Sequence, residues 1–185
     1  MGGQGGDGTL TVSDLLGRYF RTQGLYVYAS RTVLSRIRGG HADASVRASR
    51  NPVAAVKPEV DLILAFDQEA AEIGRSELSS EGWILYDSSV FHLDDPRAVG
   101  FPFATLVGGA IGQPIYKNTA AYGAISILMG FDMTLTRKVI EDRFRRRGGE
   151  ALTKNLRALE LGQTAAKDAG ITARWNILPG AAHDL

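Results

Sequence analysis

The sequence predicts an α/β protein, a three-layer sandwich with helices on both faces of an open, mostly parallel sheet. Three observations lead there. Short apolar runs of the buried-strand type alternate along the chain with segments of helical periodicity. A glycine-rich segment stands directly before the first helical pattern. The 185 residues, 44% hydrophobic and 22% charged, make one ordinary domain, long enough to bury about 70% of its unfolded surface.

The elements follow in order. Residues 2 to 8 are almost all glycine and offer no side chain to pack, so they read as a loop that turns tightly or meets something closely. Val12, Leu15, Leu16, Tyr19 and Phe20 fall on one helical face, and Gly24 is a stop signal. Leu25 to Ser30 is rich in strand formers, and 31 to 41 is a polar, glycine-containing exposed loop. Ala42, Ala44, Val46 and Ala48 alternate with polar residues, a strand with one wet face, ended by Asn51-Pro52. Val60 to Phe66 is a buried strand, and Asp67 is placed to cap a helix of about two turns. Trp83 to Tyr86 is a further buried strand, 87 to 100 is loop, and Phe101 to Val107 reads as an edge or irregular strand because of Pro102. Gly108, Gly109 and Gly112 then make a flexible connection. Asn118 to Met129 is apolar nearly all round and predicts a buried helix. Helical patterns follow around Leu135 to Phe144 and from Leu152 to about Gly170. Residues 1–173 form the α/β domain and 174–185 an extension or docking tail.

The expected sheet is Rossmann-like, with one departure. In such sheets a central strand precedes the glycine loop. Here only Met1 precedes it, so the first strand is expected to be absent, which would leave two strand edges unpaired.

Composition excludes several functions. No apolar run is long enough for a membrane span, and Met1 to Gly8 has no signal-peptide character, so a cytoplasmic protein is expected. The absence of cysteine excludes disulfides, thiolate metal sites and a cysteine nucleophile. A net charge of +1 exerts no general pull toward nucleic acid or anionic membrane.

Gly3-Gln4-Gly5-Gly6-Asp7-Gly8 fits the dinucleotide-binding spacing, but Asp7 puts a negative charge where a phosphate would lie. Ser30-Arg31 stands where a ribose-binding acid is required, which favours a tight structural turn. Arg36 and Arg38, followed by Gly39 and Gly40, form a more informative group: two guanidinium forks on an adaptable loop suit a phosphate or carboxylate, although a solvated loop reads equally well. Arg143, Arg145, Arg146 and Arg147 cluster at a helix end, where the dipole favours cations; subunit docking is the alternative. His41, His92 and His183 lie far apart without metal-ligand spacing. The chain carries no self-sufficient catalytic constellation.

A larger ordered set completes the reading. It comprises the glycine loop and helix, Tyr26-Val27-Tyr28, Arg38-Gly39-Gly40-His41, Ser45 to Ser49 and Val60 to Asp67. It continues with Lys117-Asn118-Thr119-Ala120-Ala121-Tyr122-Gly123-Ala124, Arg143-Phe144, and Asn155 to Gly162. This set resembles the gamma subunit, or fused gamma domain, of 2-oxoacid:ferredoxin oxidoreductases. The resemblance implies membership of a cytoplasmic hetero-oligomer that converts a 2-oxoacid such as pyruvate, with coenzyme A, to an acyl-CoA, CO2 and reduced ferredoxin. It implies that thiamine diphosphate and [4Fe-4S] clusters sit on partner subunits: thiamine-binding and pyrimidine-domain chains of alpha/beta type, and an iron–sulfur subunit. It further implies that this chain contributes no catalytic residue and no metal ligand, but packs the complex and forms part of the coenzyme A site. Arg36, Arg38, Gly39 and Gly40 are the expected contacts, with Lys117 and Asn118 lining the same region unless Asn118 merely caps the buried helix. Two other readings stand beside it: a separate NADP- or flavin-binding oxidoreductase, and a pure assembly scaffold.

Overall fold

The computed structural model describes residues 1–4, 8–33 and 41–181. Its sheet has six strands: β1 (Gly2–Gln4), β2 (Tyr26–Val33), β3 (His41–Ser49), β4 (Val60–Ala65), β5 (Leu78–Asp87) and β6 (Ala98–Phe101), in the spatial order β2-β3-β1-β4-β5-β6. The helices are α1 (Thr9–Thr22), α2 (Gln68–Glu77), α3 (Phe103–Ile111), α4 (Lys117–Leu128), α5 (Met133–Phe144) and α6 (Gly149–Asp168). Pairs β1–β4, β4–β5 and β5–β6 are parallel, whereas β3 is antiparallel to both β1 and β2. Five strands therefore share one direction and β3 alone is reversed.

The two central strands alternate between two helix layers, which is why they read as unbroken apolar runs. Leu64 of β4 and Leu85 of β5 join the larger core, with Val12, Leu15 and Leu16 of α1 and Ala120, Ala121 and Ala124 of α4. Ile63, Ala65, Ile84 and Tyr86 point the other way, onto Ala70 and Ala71 of α2. The predicted helices at 12–20, 68 onward, 118–129, 135–144 and 152–170 are all present, and Asp67 caps α2 by accepting the Ala70 N–H at 2.8 Å. Among the described residues no helix is long and apolar enough to cross a membrane.

The expectation of a missing first strand is corrected. Gly2–Gln4 is itself that strand, with Gly2 opposite Asp43 on one side and Ala65 on the other. The Ala44 N–H donates to the Met1 carbonyl at 2.9 Å, and the Phe66 N–H to the Gly2 carbonyl at 3.1 Å. Glycine is a poor strand former in isolation. Backbone pairing on both sides, and not side-chain packing, holds it here.

Two further expectations change. Phe101 to Val107 is not a strand: β6 ends at Phe101 and α3 begins at Phe103, with Gly108 and Gly109 inside the helix rather than in a connection. The helix start is set from a distance, because the buried Asp87 carboxylate accepts the Ala104 N–H at 3.2 Å. The loop expected over 87–100 yields its last residues to β6, paired in register with Ile84 to Asp87. Beyond α6 the chain runs without regular structure, held by the Arg174 N–H on the Leu128 carbonyl (2.8 Å) and the Gly180 N–H on the Gln23 carbonyl (2.7 Å).

Candidate functional site

Strands β1 and β4 are parallel neighbours, and the chain leaves them over opposite faces of the sheet. After β1 it runs through α1 on the side of the larger core; after β4 it runs through α2 on the other. Their carboxyl ends thus open between two helix N-termini, the crevice in which open α/β sheets hold ligands. The first turn of α4 lies against the same place.

Gly8 makes the turn into α1 with φ at +84°, a conformation that favours glycine. A Cβ there would also stand 2.8 Å from both Cβ and Cγ of Asn118, so this turn and the start of α4 are in close contact. Thr9, the first residue of α1, is 2% exposed, and its hydroxyl has no hydrogen-bond partner. Across the crevice, Asp67 uses Oδ1 to cap α2 while its buried Oδ2 has no partner. Two unsatisfied polar atoms therefore flank the β1–β4 strand ends, where leaving such atoms unpaired costs about 1–3 kcal/mol each.

Lys117 opens α4 with its ammonium 5.0 Å from the centroid of the Phe66 ring, directly after β4. The ring face attracts the cation. Asn118, 8% exposed, accepts the Thr119 N–H at 2.7 Å through Oδ1. The Thr119 hydroxyl donates to Oδ1 of Asn155 at 2.7 Å, and the Asn155 amide donates to the Ala151 carbonyl at 2.8 Å. This buried relay ties the start of α4 to α6 and fixes where Lys117 and Asn118 stand. The arrangement offers an ammonium and a buried amide beside a glycine turn, a set suited to an anionic or carbonyl-bearing ligand.

Of the residues expected from sequence, the structure brings Lys117 and Asn118 to this edge. Arg36, Arg38, Gly39 and Gly40 lie outside the described residues. The strands on either side of them end at Val33 and begin at His41, and His41 pairs with Gln4, the last residue of β1. The expectation that Asn118 merely caps the buried helix is corrected: Tyr116 is the N-cap, without a side-chain bond, because a 3-10 turn at Pro114–Tyr116 starts the helix earlier. Gly5, Gly6 and Asp7 of the glycine motif also lie outside the described residues.

Sequence reasoning missed Phe66 as the seat of Lys117, and it missed Asp87. The Asp87 carboxylate is 0% exposed and accepts from the Ser89 hydroxyl, the Ser89 N–H at 3.1 Å and the Ala104 N–H at 3.2 Å. The signal was present: Asp87-Ser88-Ser89 directly after a buried strand is a turn in which the acid binds its own downstream backbone.

An open α/β sheet with a polar crevice at its strand ends defines a ligand-binding or subunit domain of the doubly wound class. Comparison with known proteins makes this particular: the chain belongs to the pyruvate ferredoxin/flavodoxin oxidoreductase family, whose model matches residues 1–165. Within that family it is of the gamma type. The 2-oxoglutarate synthase subunit KorC of Archaeoglobus fulgidus is 25% identical over 163 residues, which cover 88% of this chain and 83% of that one. The 2-oxoglutarate:ferredoxin oxidoreductase of Magnetococcus marinus, solved with 2-oxoglutarate, coenzyme A and succinyl-CoA bound, superposes with a TM-score of 0.85 at 26% identity. That match covers 97% of this chain but 32% of the other, so this chain spans about a third of that relative's length. The gamma subunit of a keto/oxoacid ferredoxin oxidoreductase from Geobacter sulfurreducens shares the fold, with a TM-score of 0.74 at 23% identity over 90% of this chain and 96% of that one.

Proposed function

We infer that this chain is the gamma subunit of a thiamine-dependent 2-oxoacid:ferredoxin oxidoreductase and that it supplies part of the coenzyme A site. The observation that carries this is the likeness of 97% of the chain, at a TM-score of 0.85, to part of an oxidoreductase solved with coenzyme A and succinyl-CoA bound. Thiamine diphosphate and [4Fe-4S] clusters, which supply decarboxylation and electron transfer, belong to partner subunits. With no cysteine among its 185 residues, this chain provides no thiolate ligand for a cluster.

The residues at the sheet edge fit a phosphate-bearing ligand. Lys117 offers a cation, Asn118 an amide, and the Thr9 hydroxyl is a buried donor without a partner. Arg36 and Arg38 belong to the segment between β2 and β3, whose flanking strand residue His41 pairs with the carboxyl end of β1. In this reading Arg36, Arg38 and Lys117 hold the coenzyme A phosphates, Gly39 and Gly40 allow the backbone to approach, and Asn118 orients the ligand. The chain binds and positions; the reacting atoms meet groups of other subunits.

The test uses the complex purified from native cells. Co-purification with thiamine-dependent and cysteine-rich subunits is expected, and a chain isolated alone would overturn the gamma-subunit assignment. In the assembled enzyme, Arg36→Ala with Arg38→Ala is expected to raise the KM for coenzyme A about tenfold or more, the loss of one charge-assisted contact. The KM for the 2-oxoacid is expected to stay unchanged. An unchanged coenzyme A value would refute the binding role and leave a scaffold.

A further inference from the structure

The arginine run that the sequence places at the end of α5 has no part in the coenzyme A reading. Arg145–Arg147 form a 3-10 turn directly after α5, and with α1 they border a cleft of about 450 Å3 lined by Arg18, Asp142, Arg143, Arg146 and Arg147. A helix dipole accounts for cations within its last turn. Arg143 occupies that position, and it is already satisfied by Asp14 at 2.6 Å. Asp14 also holds Arg18 at 3.0 Å, so one carboxylate orients two guanidiniums toward the cleft from α1 and α5. Asp142 is drawn outward by Lys138 at 2.7 Å and Arg145 at 3.5 Å. Arg147 lies over the Phe144 ring, 5.7 Å from its centroid, and Arg146 has no ion pair among the described residues. Counting Asp14 and Asp142 against the four guanidiniums leaves two positive charges at the cleft.

The geometry points to this cleft as a binding site for the phosphate or diphosphate group of a small-molecule ligand. A phosphate monoester carries about −1.5 to −2 charge and three acceptor oxygens, which matches both the residual charge and the multiplicity of forks. A single carboxylate would leave half of that charge uncompensated. Guanidinium, unlike ammonium, presents paired donors to such a group, and every lining cation is an arginine. The cleft volume falls in the range of small-ligand sites, about 300–1,000 Å3. The site is separate from the sheet edge: Arg18 lies nine residues beyond Thr9, about 14 Å along α1. Its success or failure is independent of the coenzyme A reading.

The test titrates pyrophosphate into the full chain at low ionic strength and follows the arginine Nε–Hε signals by NMR. A saturable change confined to Arg18, Arg143, Arg146 and Arg147 is expected. Arg146→Ala with Arg147→Ala should weaken binding about tenfold or more, as expected for the loss of charge-assisted contacts. The corresponding Lys pair keeps the charge but loses the forks, and should bind more weakly than the native chain. Both arginines are exposed, and an unchanged circular dichroism spectrum checks that the variants fold. Arg145→Ala, at a side chain 71% exposed and outside the lining, should leave binding unchanged. A non-saturating change shared with Arg31 and Arg50, or affinity unaltered in the double Ala variant, would overturn the site. So would tighter saturation of the same signals by hexaglutamate, which would make the cleft a docking face for an acidic protein.

Discussion

Gly162→Ala separates close backbone packing from helix propensity in this fold. Gly162 lies on α6 against α4, with Ala158 and Ala166 of the same helix buried nearby. A Cβ at residue 162 would stand 2.6 Å from the carbonyl carbon and 2.9 Å from the Cα of Ala120, and nearer still to the carbonyl oxygen. Gly123 makes the reciprocal approach from α4, where a Cβ would stand 3.1 Å from the Gln163 nitrogen and 3.2 Å from the Leu159 carbonyl carbon. Carbon atoms pack at about 3.5–4.0 Å, so the two helices must part by about 1 Å, and a gap of that size forfeits a quarter to a half of each contact's attraction. Overpacking costs about 1–3 kcal/mol where side chains yield, and more where the obstacle is backbone, giving about 3–5 kcal/mol here. Alanine returns about 1 kcal/mol of helix propensity. The net loss is about 2–4 kcal/mol against a total stability of about 5–15 kcal/mol.

Urea unfolding of the full chain, followed by circular dichroism, reads this as a fall in midpoint of about 1–2 M for an m-value near 2 kcal/mol/M. Gly109→Ala is the control. It lies inside α3 at an ordinary φ, and a Cβ there meets nothing within 4 Å. It should stabilise by about 0.5–1 kcal/mol, because only the propensity contribution remains. A Gly162→Ala midpoint within about 0.3 M of the native one, or a destabilising Gly109→Ala, would refute the packing argument.

Two other outcomes are expected. The Tyr122 hydroxyl is buried without a partner, and burial pushes its ionisation well above the ordinary tyrosine range, so Tyr122→Phe should stabilise the chain by about 1–2 kcal/mol in the same urea assay. Asp95 accepts from Arg97 through side chain and backbone and pairs with Arg75 at 3.0 Å. The Arg97 side-chain bond, helped by the Arg97 N–H and the two charges, holds its carboxyl below the ordinary 3.8. A lowered folded value means that this contribution is present above about pH 4 and is lost as pH falls through the folded value. Asp95→Asn should cost about 1.5–3 kcal/mol at pH 7 and flatten the acid limb of the stability–pH curve; an unaltered acid limb would count against the pairing.

Much of the fold was legible because local pattern and tertiary demand agree. The apolar face of α1, the continuous runs of β4 and β5, the all-round apolar α4 and the Asp67 cap each follow from the period, or from a single hydrogen bond that the local sequence supplies. The readings failed where a distant group decides. Gly2–Gln4 is a strand because β3 and β4 present unpaired edges on both sides, a fact that no window of sequence contains. Phe103–Ile111 is a helix although its composition resembles a strand, because its first turn binds the buried carboxylate of Asp87.

The candidate site divides in the same way. The sequence by itself determined the residue types: a glycine turn, Lys117-Asn118-Thr119, the paired arginines and the absence of cysteine, which together assigned the family and removed cluster chemistry from this chain. Only the tertiary structure decided that Gly8 and Asn118 touch, that Lys117 rests on Phe66, and that Thr119 is anchored to Asn155 across 36 positions. Only the tertiary structure closed a cleft between Arg18 of α1 and the arginines after α5. The reason is physical: hydrophobic period and capping act within a few residues, whereas a ligand crevice is made by strand order, which brings together segments that share no local signal.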